Sequence, residues 1–336
     1  MRRREFIILL GGATIAPCFT AQAQQRTSAK AQRVRRIGVL MAYGENDRLA
    51  QSYISALLNG LANLGWSDGG NVKIDVRWAD GDVNRMSLMA KELIDLQPDL
   101  IFAHTTPVTA AVTRETRTIP IIFAIVSDPV GAGFVDGLSR PGRNITGYIN
   151  VEAAMGGKWL ELLKDVAPRV QRVGVLYNPP TAPGGGQYFL PSVETAARSL
   201  GASLMIAPVY SDAEIEEAIA SLARGPSAGI VVLTDAFMLI HRQTVIAAAA
   251  KYKLPVVGHS RVWATEGAVL AYGQDSVDIF RRASTYCDRV MRGERPNDLP
   301  VQVPTKFEFV VNLKIARALG IEVPSSLLAR ADEVIE

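Results

Sequence analysis

Short continuous apolar runs alternate with amphipathic stretches along almost the whole chain. Ile37 to Met41 reads as a first strand, and the loop Ala42 to Asp47 opens a helix that Gly65 stops near Leu64. Val72 to Trp78 is a second strand, followed by Asp80-Gly81-Asp82 as turn and cap before a helix to Leu96. Leu100 to Ala103, Ile121 to Ile125 and Ile145 to Ile149 are further strands, and Thr105-Thr106-Pro107 begins the helix between the first two. A helix from Gly157 to Val166 then leads into strands at Val173–Tyr177, Ser203–Ala207, Gly229–Leu233, Val256–Val257 and Ala268–Tyr272. Between them lie helices from about Ser192 to Leu200, Ala213 to Ala223, and on to Tyr252. Apolar strands alternating with helices predict parallel sheets covered on both faces.

The pattern occurs twice. RIGVLMAYGEND begins at Arg36, and RVGVLYNPPTAP begins 136 residues later at Arg172. Leu64-Gly65 and Leu200-Gly201 stand at the same offset, and Ile119-Pro120 is answered by Leu254-Pro255. A repeat of this length is a domain-sized module, so the fold class expected is α/β with two similar doubly wound parallel-sheet lobes. A helix from Val277 to Met291 has no counterpart in the first module and is expected to return to lobe one, before an extended Pro300–Pro304 and a last strand and helix over Phe307 to Leu319. The boundaries that follow are 35–149 plus 275–304 for the first lobe, and 150–274 plus 305–336 for the second. Three chain segments then connect the lobes, an arrangement that makes a hinge.

The first 23 residues change the charge picture. Arg2, Arg3 and Arg4 precede an apolar Phe6–Pro17 and an Ala21-Gln22-Ala23 cleavage site, which reads as an export signal approaching the twin-arginine pattern. Residues 24–34 form a polar leader. Of 36 basic and 33 acidic residues, the signal holds three Arg and one Glu, leaving 33 against 32. So neutral a chain gives no reason to expect nucleic acid or direct attachment to an anionic membrane. Cys18 falls in the signal, so Cys287 alone would remain, in phase with Phe280, Ala283 and Val290 on a helical face; it reads as a core residue.

No GxGxxG opens a helix, and there is no Walker A, GxSxG, HExxH or cysteine pair with metal spacing. His104, His241 and His259 stand in different local contexts, and no catalytic constellation can be read; no enzyme activity, metal or cofactor is expected. What recurs is polar residues just past strand ends, where open parallel sheets bind ligands beside helix N-termini. The first module supplies Tyr43, Thr105, Thr106, Ser127 and Asp128; the second supplies Asn178, Asp235, His259 and Arg261, with Tyr272 at the hinge. Thr105 or Thr106 serves equally as a helix cap, and Asp128 before Pro129 equally as a turn.

Five stretches, GWSDGGNVKIDVRWADGD, IPIIFAIVSDPVGAGFVDGLSRPG, GGKWLELLKDVAP, LPVQVPTKFEFVVNLKIARALG and LLARADEVIE, resemble the soluble binding components of ABC importers. The chain is similar to the group that includes tryptophan- and tyrosine-binding members, from about Arg36 to Glu336. The resemblance implies a type I periplasmic-binding fold, a small-molecule ligand, and a membrane permease with a cytoplasmic ATPase as partners. It carries Thr105-Thr106, Ser127-Asp128, Asn178 and Asp235-Ala236 over as strand-end loops of the cleft. The chain departs at Gly258-His259, where relatives often have an aromatic, and at Ala271-Tyr272-Gly273, where they often have Ser-Tyr-Gly. The expected protein is a periplasmic, monomeric receptor whose lobes close over an amino-acid-like solute, reaching the membrane only through the permease. Thr105, Thr106 and Ser127 are expected to take its carboxylate, and Asp235, with Asp128, its ammonium. The alternative is a periplasmic sensing module for a membrane receptor, with the same cleft.

Overall fold

The computed structural model describes residues 33–225 and 227–336. The expected export signal and all but the last two leader residues lie outside the described residues. From Arg35 the chain runs β1 (Arg35–Met41), α1 (Arg48–Asn63), β2 (Val72–Trp78), α2 (Val83–Asp95), β3 (Leu100–His104), α3 (Thr106–Glu115), β4 (Ile121–Val126) and β5 (Ile145–Ile149). These strands form one parallel sheet in the order β2-β1-β3-β4-β5. β3 and β4 are buried along their whole length, which is why they read as unbroken apolar runs. Asp47 and Asp82 start α1 and α2 by accepting hydrogen bonds from backbone N–H groups two and three residues on.

The second sheet repeats the first. The chain continues α4 (Met155–Val166), β6 (Arg172–Tyr177), α5 (Leu190–Leu200), β7 (Ser203–Pro208), α6 (Asp212–Ala223), β8 (Ala228–Val232), α7 (Ala236–Ile240), α8 (Arg242–Lys251), β9 (Val256–Gly258), α9 (Arg261–Glu266) and β10 (Leu270–Gln274). The order β7-β6-β8-β9-β10 is the order of the first sheet, strand for strand. The chain then runs through α10 (Ser276–Met291), β11 (Phe307–Asn312), α11 (Leu313–Ala318), α12 (Ser325–Leu328) and β12 (Glu333–Ile335), and β11 and β12 extend the second sheet. Two α/β lobes with doubly wound sheets are therefore present, as the repeat implies.

The structure differs from the periodicity in four places. β11 runs antiparallel to β10, so the second sheet is mixed at one edge. The helix ending at Tyr252 is two helices, because the backbone at His241 (φ −90, ψ 17) leaves the helical conformation. Six-residue α9 lies between β9 and β10, where the apolar pattern shows only a connection. α12 and three-residue β12 are too short to leave a period in the sequence.

α10 packs on α1 of the first lobe, with Phe280 stacked on Tyr53 at 4.9 Å and Cys287 fully buried. Gly60 of α1 makes this approach possible: a Cβ there would lie 2.8 Å from Ser284 Cβ and 3.1 Å from the Arg281 carbonyl oxygen. The chain passes between the two sheets after β5, between β10 and α10, and before β11. At the last crossing Gln302 bridges to Tyr148 beside β5.

Candidate ligand-binding cleft

In a parallel sheet every residue that follows a strand lies along one edge. The carboxyl edges of the two sheets line a common cavity of about 30 Å³. That is room for about two water molecules, so a larger solute enters only with a widening of the cleft.

On the first lobe, Thr105 is the N-cap of α3 but makes no side-chain cap bond. It is buried, its Oγ1 has no partner, and its backbone is left-handed at φ 77. Ile125, at a bulge in β4, is also left-handed at φ 58. For branched residues such backbones cost on the order of 1–3 kcal/mol and concentrate where a site must be held in shape. Thr106 Oγ1 accepts from the Ser127 N–H at 3.1 Å, and Ser127 Oγ donates to Asn150 Oδ1 at 2.8 Å. Of the three hydroxyls expected to take a carboxylate, only that of Thr105 is unengaged. Tyr43 also lines the cavity, its ring edge-on to His104 at 4.6 Å.

On the second lobe, Asp235 caps α7. Its Oδ1 accepts from the Met238 N–H (2.7 Å) and Thr181 Oγ1 (3.1 Å), and its Oδ2 accepts from the Asn178 N–H (2.9 Å). Burial pushes its carboxyl up to about 7, against these hydrogen bonds, which favour the ionised form. Asp235 therefore braces its own lobe as well as lining the cavity with Ala236. His259 follows β9 with both ring nitrogens unpartnered, and burial lowers its pKa to about 3, so the imidazole is neutral. Beside it Ser260 Oγ and Gln274 Oε1 are buried and unpartnered too. Among the described residues Asp235 is the one charged side chain on the wall, and no Lys or Arg lines the cavity.

Four expected residues lie outside this wall; one of them, Arg261, pairs with Glu333 at 2.6 Å. Asn178 turns its amide to the Val209 carbonyl (2.8 Å) and accepts from Thr181, supporting the loop from behind. Asp128 accepts from the Gly131 N–H at 2.9 Å and shapes a turn. Tyr272 stacks on Phe307 at 5.8 Å, on a separate groove of the second lobe. Sequence reasoning misses Tyr53, Asn150, Thr181, Ser260, Gln274 and Ser276, all on the wall. Gln274 and Ser276 flank the second crossing between the lobes, and that adjacency is a signal the sequence does contain. Tyr53 lies inside a helix and has none.

At the rim, Arg242 of the second lobe reaches Asp47 of the first at 3.0 Å while also holding Glu266 at 2.9 Å. Among the described residues no three His, Cys, Asp or Glu side chains gather as a metal site, and no helix is long and apolar enough to cross a membrane.

A profile of the ABC transporter substrate binding protein family matches residues 37–335. The chain is 28% identical over 301 residues to a tyrosine-binding protein of Clostridioides difficile, covering 89% of this chain and 84% of that one. It superimposes on a Streptococcus pneumonia ABC domain in complex with L-Trp with a TM-score of 0.82, at 28% identity, over 90% of this chain and 99% of the other. The ligand-free, open structure of a substrate-binding protein with adhesive properties from Clostridium difficile gives 0.65 at the same identity and the same coverage of both chains. With its duplicated lobes, common cavity and near end-to-end match, this chain belongs to the ABC transporter substrate-binding protein family, whose members bind solutes for ABC transporters.

Proposed function

We propose that this chain is the periplasmic receptor of an ABC importer and captures an amino-acid-like solute with an aromatic or polar side chain. The observation that carries the reading is the wall itself. Unpartnered buried polar atoms from both lobes (Thr105 Oγ1 from one, His259, Ser260 and Gln274 from the other) converge on one enclosed space. Left unpaired, each such group costs about 1–3 kcal/mol, so a bound solute that meets them gains that much in return. The α3 N-terminus with the Thr105 hydroxyl suits a carboxylate, since free N–H groups and the helix dipole favour an anion there. Asp235, the single acidic group of the wall, suits the ammonium. The relatives that bind tyrosine and L-Trp support an aromatic amino acid as the class.

The higher TM-score against the L-Trp complex than against the open form, at equal identity and coverage, supports a closed arrangement of the lobes. Residues 1–23 would direct export, the receptor would act as a monomer, and the closed lobes would dock on the permease, whose cytoplasmic ATPase drives release inward. Calorimetric titration with L-tyrosine and L-tryptophan tests the reading, using the wild type and Thr105→Val, which keeps the branched shape and removes the hydroxyl. At least one amino acid should bind 1:1, and Thr105→Val should weaken it about tenfold, the loss of one hydrogen bond to a charged group. Absence of binding by both, or an unaffected Thr105→Val, contradicts it.

A further inference from the structure

An amino acid's carboxylate and ammonium leave part of the cavity wall unassigned. His259, Ser260 and Gln274 form this part, from the end of β9, the start of α9 and the end of β10. They are 4%, 7% and 3% exposed, and His259 Nδ1 and Nε2, Ser260 Oγ and Gln274 Oε1 have no partner among the described residues. The wall is also rigid. The His259 ring lies 6.2 Å from Trp159 and 5.9 Å from Trp263, both fully buried. A Cβ on Gly273 would fall 1.8 Å from the His259 carbonyl oxygen, so β10 presses directly on the loop that carries the imidazole.

We propose that His259, with Ser260 and Gln274, is a specificity element that selects solutes whose side chain ends in an uncharged hydrogen-bonding group, such as a phenol hydroxyl or a carboxamide. The proposal rests on the amino-acid reading above. A neutral imidazole offers one donor and one acceptor, the Gln274 carbonyl an acceptor, and the Ser260 hydroxyl either. A phenol or carboxamide, itself both donor and acceptor, satisfies such a set; an apolar isostere leaves it buried and unpaired. Sites built this way discriminate strongly against the analogue that lacks the polar group. Burial keeps the imidazole uncharged at physiological pH, so this wall offers no cation to a carboxylate side chain.

The test is titration calorimetry with two pairs of similar size, L-tyrosine against L-phenylalanine and L-glutamine against L-methionine, with L-glutamate alongside. In at least one pair the polar member should bind tenfold or more tightly than its apolar partner, and L-glutamate more weakly than L-glutamine. His259→Phe keeps a ring between the two tryptophans and should cut that ratio to threefold or less by weakening the polar member. His259→Gln restores a donor and an acceptor and should recover part of it. Gln274→Leu, made in parallel, should lower the ratio as well, and decides the matter if His259→Phe does not fold. A wild-type ratio near one in both pairs, a ratio unchanged in His259→Phe, or L-glutamate binding above L-glutamine overturns the specificity element while leaving the amino-acid reading intact. If none of the five binds, the specificity element falls, and the amino-acid reading falls with it when L-tryptophan does not bind either.

Discussion

Thr105 and Asp235 face the same cavity and owe their conformations to opposite causes. Thr105 holds a backbone that its branched side chain disfavours and keeps its hydroxyl free. Asp235 accepts three hydrogen bonds from its own lobe and costs stability because it is buried. That cost makes a pH prediction. Burial pushes the folded carboxyl from its ordinary 3.8 up to about 7, so the folded state binds this proton more tightly. Its contribution is present in full below about pH 4 and is lost as pH rises through 7. At 1.36 kcal/mol per unit, the loss is at most about 4 kcal/mol. Asp235→Asn should lower stability overall, since the amide cannot accept from both sides. It should also flatten the fall in melting temperature between pH 5 and 8; an unchanged slope contradicts the assignment.

Much of this wall is legible one residue at a time. Tyr43, Thr105, Ser127, Asp235 and His259 follow apolar runs, and the edge of a parallel sheet fixes where such residues go. The same rule misplaces Asn178 and Asp128, because it gives the edge and not the direction of the side chain. The left-handed backbones at Thr105 and Ile125 leave no trace in composition, since tertiary packing imposes them on residues that disfavour them.

Among the elements, α10 shows how a local preference is overruled. Gly60 lies inside α1, where alanine would normally add about 1 kcal/mol. Here an added methyl meets Ser284 and the Arg281 carbonyl, and overpacking of this kind costs about 1–3 kcal/mol. Gly60→Ala should therefore lower the melting temperature by a few degrees. A rise would mean that α1 and α10 separate at little cost. The strands and long helices are readable because continuous apolar runs and a helical stripe survive over many residues. The break at His241, short α9 and β12 are not, since each is set by a cap or a neighbouring strand within six residues or fewer.

For the molecule as a whole, the duplicated sheets matter because they bring two carboxyl edges to one cavity. The Asp47–Arg242 pair spans the lobes at its rim, and Gly81 of one lobe lies against Ile240 of the other. Both contacts would be lost if the lobes parted, and on the proposed function a solute bound by both walls shifts the balance toward closure. The 136-residue repeat makes the two lobes legible in the sequence. The closed arrangement is not, because it depends on side chains that meet only across the cleft. Small-angle X-ray scattering of residues 24–336 with and without a saturating amino acid tests the account most directly. It predicts a larger radius of gyration without the amino acid and, on binding, contraction to the scattering profile calculated from the closed lobes; an identical profile in both conditions, with binding shown independently, contradicts it.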